Sequence, residues 1–417
     1  MVWGKCAVLR TLTFTLGAIL AAYCSVGAVS ETVWPNNEQV DHVLCQVLLC
    51  NSAPLIRHGR EQITEGKKEN VQQAIATFRM VLQRDPQDPY RWADLGDAFL
   101  EAGQKEDARY CFGQVLVLAP RSAPFLLRVA NFHFHIGENR EALPITARIL
   151  ALIPDYDSVI FNHYIGSVDS AEDVLRLGLP EGGRPAKSWM RFLIQAGRLG
   201  DAQRTWDWVV GHGHVDNALA GEYVEFLIRH GHPDSAASSW AQYMGARAND
   251  YDKSTYLFNG DLESDPAPSP FDWNVAHAEG AQVTRDCTTA WSGKCSLRIS
   301  FAGTQNLGFA AASQLAFVRP GTYRFHAFIR TESLTTDQGM RFRISDAEVP
   351  ARLDEVFGQF TGSNAWSSVD CDLVVAPQTK LLRIEVIRQP SMKFDNKVAG
   401  TAWIDQLELE PITTHSP

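Results

Sequence analysis

The chain has 417 residues, 45% hydrophobic and 21% charged, the balance of a folded, soluble protein of two or three domains. Its formal net charge is −10, and loss of residues 1–30, which hold Lys5 and Arg10 but no acidic residue, would take it to −12. Sequence-independent nucleic-acid binding needs a dense positive surface that displaces counterions, so that class is excluded first.

Lys5 and Arg10 precede an uncharged run, TLTFTLGAILAAYCSVGAVS, which ends in small residues with Ala28 and Ser30 placed for cleavage after Ser30. The pattern predicts an export signal over residues 1–30 and a protein of the periplasm or cell envelope. The run is also near the length of a membrane-spanning helix, so an uncleaved anchor is the alternative and the one membrane association expected. Tyr23 stands directly before Cys24, where a lipoprotein signal wants a small residue. Nothing later in the chain is long and apolar enough to span a bilayer.

Six cysteines follow residue 30: Cys45, Cys50, Cys111, Cys287, Cys295 and Cys371. Export permits disulfides. Cys287 and Cys295 enclose TTAWSGK where two short strands could run side by side, and a disulfide is expected there. Cys45 and Cys50 lie in an apolar, helical-looking stretch where their spacing sends the side chains in different directions. A bridge there needs a break in the helix, and two packed thiols are an equal reading. No cysteine spacing matches a zinc site.

Residues 31–250 carry helical signals and a repeat. Pro86, Pro120 and Pro154 are spaced by 34, as are Gly103 and Gly137, and Ala74, Ala108 and Ala142. The clearest unit holds Trp92, Leu95, Gly96, Phe99, Ala108, Phe112 and Pro120, and it resembles the tetratricopeptide repeat at its signature positions. Small Gly96 and Ala108 let two helices approach, large apolar residues fill the space around them, and Pro120 helps to end the second helix. The register slips at SVDSAEDVLRLGLPEGGRP and resumes with Gly197 and Gly231, Ala202 and Ala236, and Trp206 and Trp240. About five helix pairs are expected, three over 71–154 in one phase and two over 184–246 in another. The resemblance implies an α-solenoid that presents a surface to a protein partner; a purely architectural role is the alternative.

From Tyr256 the texture changes. CSLRISF, YRFHAFIR, MRFRI, LLRIEVIR and TAWIDQLELE alternate apolar with polar residues and are bounded by Gly, Pro, Asn or Asp, which predicts an antiparallel β-sandwich over 255–412. FNGDLE, Trp273, AWSGKCSLRISF, VRPGTYRFHAFIR, TGSNAWSSVDCDLVV and GTAWIDQLELEP follow in an order that resembles a jelly-roll carbohydrate-binding module with a galactose-binding-like fold. FNGDLE is read as the first strand, and the junction before it is placed near residue 252. The fold class is therefore multidomain α plus β, an N-terminal α-solenoid joined to a C-terminal sandwich.

Sugars are gripped by aromatic faces stacked on their C–H surfaces, with hydrogen bonds to their hydroxyls. Trp291, in the turn between Cys287 and Cys295, is the exposed candidate, and Phe309 lies in the loose loop GTQNLGFAAAS after Gln305 and Asn306. Trp273 and Trp366 are read as packing. Arg330, Arg341, Arg343 and Arg388 stand at polar positions of strands, either on a solvated face or toward a ligand. The resemblance implies a cleft on one sheet face to which residues around Asp337 contribute. It also implies a structural calcium, with Asp261, Glu263, the carbonyl of Lys294 and Asp405 at the matching places, although Gln406 stands where the family usually has a second acid.

No catalytic constellation is present: no HExxH, no GxSxG and no phosphate-cradling glycine loop. Asp346, Glu348, Asp354 and Glu355 are close in sequence but sit in a polar setting that reads as a solvated surface. The pairs His133 with His135, His212 with His214 and His230 with His232 lie in helices or at helix ends, where imidazoles two apart point to different sides. The expectation is a non-catalytic exported adaptor with no cofactor other than that calcium. It would hold a protein partner on its repeats and a polysaccharide on its sandwich, in assembly or export of a surface polysaccharide. The rivals are a scaffold whose sandwich takes no sugar and, further off, an unrecognised glycan-acting enzyme.

Overall fold

The computed structural model describes residues 52–251 and 253–412, with Thr15, Gly17, Ala18, Ala21, Ala22 and Ser25 as isolated helical positions. The cleavage position after Ser30, Cys45 and Cys50 lie outside the described residues. Among the described residues no helix is long and apolar enough to cross a membrane. The chain divides into two units between Pro185 and Ala186.

The first unit is built of helix pairs: α1 (Ser52–Glu65) with α2 (Lys68–Arg84), α3 (Pro89–Glu101) with α4 (Lys105–Leu118), and α5 (Ala123–His135) with α6 (Asn139–Leu152). Asp88 caps α3 by accepting the Tyr90 N–H at 2.8 Å, and Pro89 takes the first helical position, where no N–H is needed. Gly103 turns the chain into α4 at φ 75°, a left-handed backbone that glycine adopts without steric cost. Gly137, Gly197 and Gly231 repeat that conformation, so the 34-residue period is in part a period of turns. A Cβ on Gly96 would stand 3.0 Å from the Phe112 ring, which shows how closely α3 and α4 approach.

A polar ladder runs through the same period. Asp94, 1% exposed, accepts from Arg60 at 2.9 Å and from Arg128 at 2.8 Å, and these three residues are 34 apart in sequence. A buried carboxylate is tolerated only when paired, so the ladder ties the first helices of successive pairs in register. The irregular join consists of α7 (Asp157–Ser167), a single turn α8 (Ala171–Asp173) and one π turn over Val174–Gly178.

The second unit opens with two more pairs, α9 (Gly183–Gln195) with α10 (Leu199–Gly211) and α11 (Asn217–Arg229) with α12 (Pro233–Met244). Trp206 stacks on Tyr223 with ring centroids 4.4 Å apart, and the fully buried Trp240 meets Phe258 edge-on at 5.6 Å. A Cβ on Gly221 of α11 would lie 1.8 Å from the Pro268 carbonyl oxygen, so this helix and the proline-rich segment touch backbone to backbone. That segment is docked against the helices, and the last two helix pairs pack with the sandwich.

Two five-stranded antiparallel sheets make the sandwich. One has the order β1 (Asn274–Val275), β4 (Phe309–Phe317), β9 (Leu381–Arg388), β6 (Met340–Asp346), β7 (Asp354–Phe360). The other has the order β2 (Ala281–Asp286), β3 (Ser296–Ala302), β10 (Ala399–Pro411), β5 (Gly321–Leu334), β8 (Gly362–Val375). Ile299, Phe325, Ile329, Phe342, Ile384 and Ile404 fill the space between them and are fully buried; each contributes roughly 1.5–3 kcal/mol of burial.

Three segments differ from expectation. FNGDLE is not a strand but a series of turns, because Asn259 and Leu262 take φ of 51° and 55°, which interrupts extended pairing. It is held to β10 by the Leu407 N–H donating to the Gly260 carbonyl at 2.9 Å. Phe309 is not in a loose loop: it begins β4, whose run of alanines packs as a strand, and its ring lies edge-on to Phe301. Arg388 has the parity of Leu382, Ile384 and Val386 along β9, so it faces inward and is 2% exposed, not on the polar side of the strand.

Candidate functional site

In β5, Phe325, Ala327 and Ile329 face the core, so His326, Phe328, Arg330 and Glu332 face outward. Across the sheet Arg330 is opposite Trp403 of β10, Phe328 is between Asp405 of β10 and Ser368 of β8, and His326 is opposite Asp370. Trp291, from the β2–β3 loop, lies flat on Phe328 with centroids 4.2 Å apart and planes 19° from parallel. Trp366 flanks it at 6.4 Å and 56°. Trp366 therefore stands on the outer face and is not core packing, whereas Trp273 is buried and donates its Nε1–H to the Asn259 carbonyl. Trp291 remains 48% exposed.

The backbone of the Trp291 loop is fastened by a disulfide and three carboxylates. The Cys287–Cys295 disulfide closes it. Asp405 Oδ2 accepts the N–H groups of Trp291 and Ser292 at 2.7 and 3.1 Å, and Glu263 Oε1 accepts those of Lys294 and Cys295 at 2.6 and 3.0 Å. Asp286 accepts from the Thr288 N–H and hydroxyl and from Trp403 Nε1. The N–H groups of Lys294 and Cys295 hold the Glu263 carboxyl below the usual range. Burial pushes Asp405 up, against the pull of its own N–H donors and with the added repulsion of Glu263.

Around the aromatic centre the polar groups are mixed in sign. His326 Nδ1 lies 2.7 Å from Asp370, Arg330 stands 5.1 Å over the Trp403 ring, and its guanidinium is 3.8 Å from Glu332. A flat indole face bordered by donors and acceptors of both charges suits the apolar face and the hydroxyls of an uncharged sugar ring.

The other sequence candidates gather elsewhere, where β4, β6 and β9 meet the β9–β10 loop. Both ends of the Asn306 amide are engaged by the Ser391 backbone, at 2.8 and 2.9 Å. The Ser391 hydroxyl donates to Asp337 at 2.5 Å, which lowers the Asp337 pKa. Arg388 donates to the carbonyls of Gln338 and Leu307 and to Thr336 Oγ1. Arg341 donates to the side chains of Gln338 and Gln359, and the Gln305 carbonyl accepts from Val398. These groups anchor a loop on which Met392 and Phe394 stand 96% and 104% exposed.

At the residues matched to a calcium, two of the carboxylate oxygens are engaged by backbone N–H donors. That ion takes six to eight oxygens. Here Glu263 and Asp405 receive backbone N–H donors, and Lys294 offers its N–H to Glu263. Asp261 Oδ1 lies 3.4 Å from the Glu263 N–H. Among the described residues no group of three or more His, Cys, Asp or Glu side chains converges as metal ligands. His133 pairs with Glu138, and His212 and His230 each contact a carbonyl four residues earlier in the chain. Asp346, expected on a solvated surface, is instead buried, taking the N–H groups of Glu348 and Val349 and the hydroxyl of Thr379, while Asp354 pairs with Arg343.

No protein-family model matches the chain, and no curated protein matches it. Among solved structures it is similar to that of TmCBM61 in complex with beta-1,4-galactotriose, at 16% identity over 38% of this chain and 99% of that one, with a TM-score of 0.28. It is similar to the CBM22-1 xylan-binding domain from Paenibacillus barcinonensis Xyn10C at 10% identity, 34% and 86% coverage and a TM-score of 0.24. It is also similar to the MamA protein at 16% identity, 48% and 93% coverage and a TM-score of 0.25. At these TM-scores the likenesses carry no argument about what this chain binds.

Proposed function

We propose that the protein is a non-catalytic exported adaptor whose sandwich binds an uncharged glycan on the outer face of the β5 sheet while its helical repeats hold a protein partner. The observation that carries this reading is the half-exposed Trp291 ring, laid flat on Phe328 beside Trp366 and bordered by paired charges. A singly exposed apolar side chain is ordinary, but an indole stacked on one ring with a third ring beside it makes a contiguous apolar patch, and such patches mark interaction sites. Placement in the cell envelope rests on the leader pattern of residues 1–30, and a role in assembly or export of a surface polysaccharide rests on the pairing of repeats with such a sandwich. The rival reading, a sandwich that serves as a scaffold, draws on the packing of α11 and α12 against the segment before β1. That packing leaves the β5 sheet face open.

The test is electrophoresis of the whole chain through gels containing single neutral polysaccharides. At least one is expected to retard the protein, and Trp291→Ala to weaken the retardation ten- to hundredfold, the roughly 1–3 kcal/mol of one stacked aromatic ring. Absence of retardation on every polysaccharide, with the fold intact by circular dichroism, overturns the glycan reading.

A further inference from the structure

We infer that the β2–β3 loop is a clamp that works without metal, in which Asp405 and Glu263 are positioning residues that hold Trp291 in its stacking pose. The inference rests on the reading that this face takes a glycan, and it adds what keeps the face in shape.

Four backbone N–H groups, those of Trp291, Ser292, Lys294 and Cys295, converge on two carboxylate oxygens, one from β10 and one from the turns before β1. Charge-assisted bonds of this kind are about twice as strong as neutral ones. In sheet register Asp405 is opposite Phe328, so the acid that holds the Trp291 backbone stands beside the ring on which the indole lies. Both acids are aimed by unusual backbone: Leu262 precedes Glu263 at φ 55°, and Gln406 follows Asp405 at φ 49° in the bulge of β10. Non-glycine residues in that region are strained and persist where the surroundings enforce them. Gly293, at φ 66°, would bring a Cβ to 2.3 Å from Glu263 Oε1, so the carboxylate closes on the loop only because no side chain is there.

A cation and an N–H donor compete for the same lone pairs. Oxygens already taken by N–H groups of the loop are poor calcium ligands, and the negative charge of each acid is spread over donors that the chain supplies itself. The functional gain is preorganisation: a tryptophan free to swing would have to be immobilised by each incoming sugar, at a loss of affinity.

Fluorine NMR of the whole chain labelled with fluorotryptophan reads the pose directly, with the Trp291 resonance assigned from Trp291→Phe. Asp405→Ala and Glu263→Ala are expected to shift and broaden that resonance and to weaken retention on the retarding polysaccharide about tenfold, while Asp405→Asn, which keeps one oxygen acceptor, falls between. EDTA is expected to change neither reading, and millimolar calcium to leave Tm unmoved. If Asp405→Ala fails to fold, Glu263→Ala and Asp405→Asn give the result. An unaltered Trp291 resonance in folded Asp405 and Glu263 variants overturns the positioning role, and loss of the resonance in EDTA overturns the metal-free clamp. If no polysaccharide retards the wild type, the glycan reading fails, and the Trp291 resonance still decides the clamp.

Discussion

Two places on the sandwich gather polar and aromatic side chains, and they differ in what is left over. Where β4, β6 and β9 meet the β9–β10 loop, Asn306, Asp337 and Arg388 spend their hydrogen-bonding capacity on one another's neighbours. On the β5 sheet the carboxylates are also spent, on the backbone of the Trp291 loop, but the product is an indole face open to solvent. Proximity of polar residues is therefore a poor sign of a binding site. The better sign is a rigid apolar surface whose own polar neighbours are already satisfied.

Arg388→Met gives the largest effect expected. The substitution keeps the apolar stem but removes three bonds from a charged donor to half-buried acceptors, at roughly 1.5–3 kcal/mol each, while the Thr336 hydroxyl and the Gln338 carbonyl stay bonded to each other. Urea denaturation is expected to show a loss of several kcal/mol, with sugar retention of the folded fraction unchanged. Lost retention in a fully stable variant would move the site to this end of the sandwich and break the comparison.

Asp272 sharpens the comparison as another buried carboxylate that holds backbone, here the N–H groups of Ala267 and Trp273. Burial raises its pKa from 3.8 to about 6. A raised carboxyl favours the protonated folded state, so its contribution to stability is complete below pH 3.8 and is lost as pH rises through about 6. Wild type measured against Asp272→Asn is expected to lose on the order of 2–3 kcal/mol of relative stability across that window in pH-dependent urea melts. A flat difference would contradict the raised pKa. Sugar retention is expected to be the same in both proteins at every pH where both are folded.

The helical half was legible because its signals are local. The turn glycines at positions 103, 137, 197 and 231 need a left-handed backbone, and a fixed period of such residues can be read without a partner strand. The sandwich was legible as alternation, and Arg388 shows both its strength and its misuse, since its parity with Leu382, Ile384 and Val386 along LLRIEVIR already places it inside. FNGDLE misled because an extended-looking phrase carries no mark of the positive φ at Asn259 and Leu262. The aromatic face was half visible. Trp291 stood out as the aromatic residue of a closed loop, but its stacking on Phe328 depends on a register between β5 and β10 that no local pattern encodes. Phe328 and Trp366 could be recovered only by following the parity of YRFHAFIR and then asking which strands lie beside it. The ladder of Arg60, Asp94 and Arg128 has the same 34-residue spacing as the prolines, but spacing alone does not distinguish a buried charge pair from solvated charges.

Arg341→Ala carries the smallest effect and the finest distinction. Its guanidinium bonds two neutral side chains, Gln338 and Gln359, while its buried Nε has no partner, so truncation removes about as much unsatisfied polarity as bonding. A change within about 0.5 kcal/mol is expected in stability, as for surface positions generally. On a retarding polysaccharide the variant should migrate like wild type, while Trp291→Ala runs nearly free. Arg341 sits on the outer face of the opposite sheet, so a glycan that required it would be gripped on the β6–β9 side. Equal weakening by both substitutions would mean that the ligand wraps around the edge of the sandwich and touches both faces. Weakening by Arg341→Ala alone would place the binding face on the sheet that now looks spent.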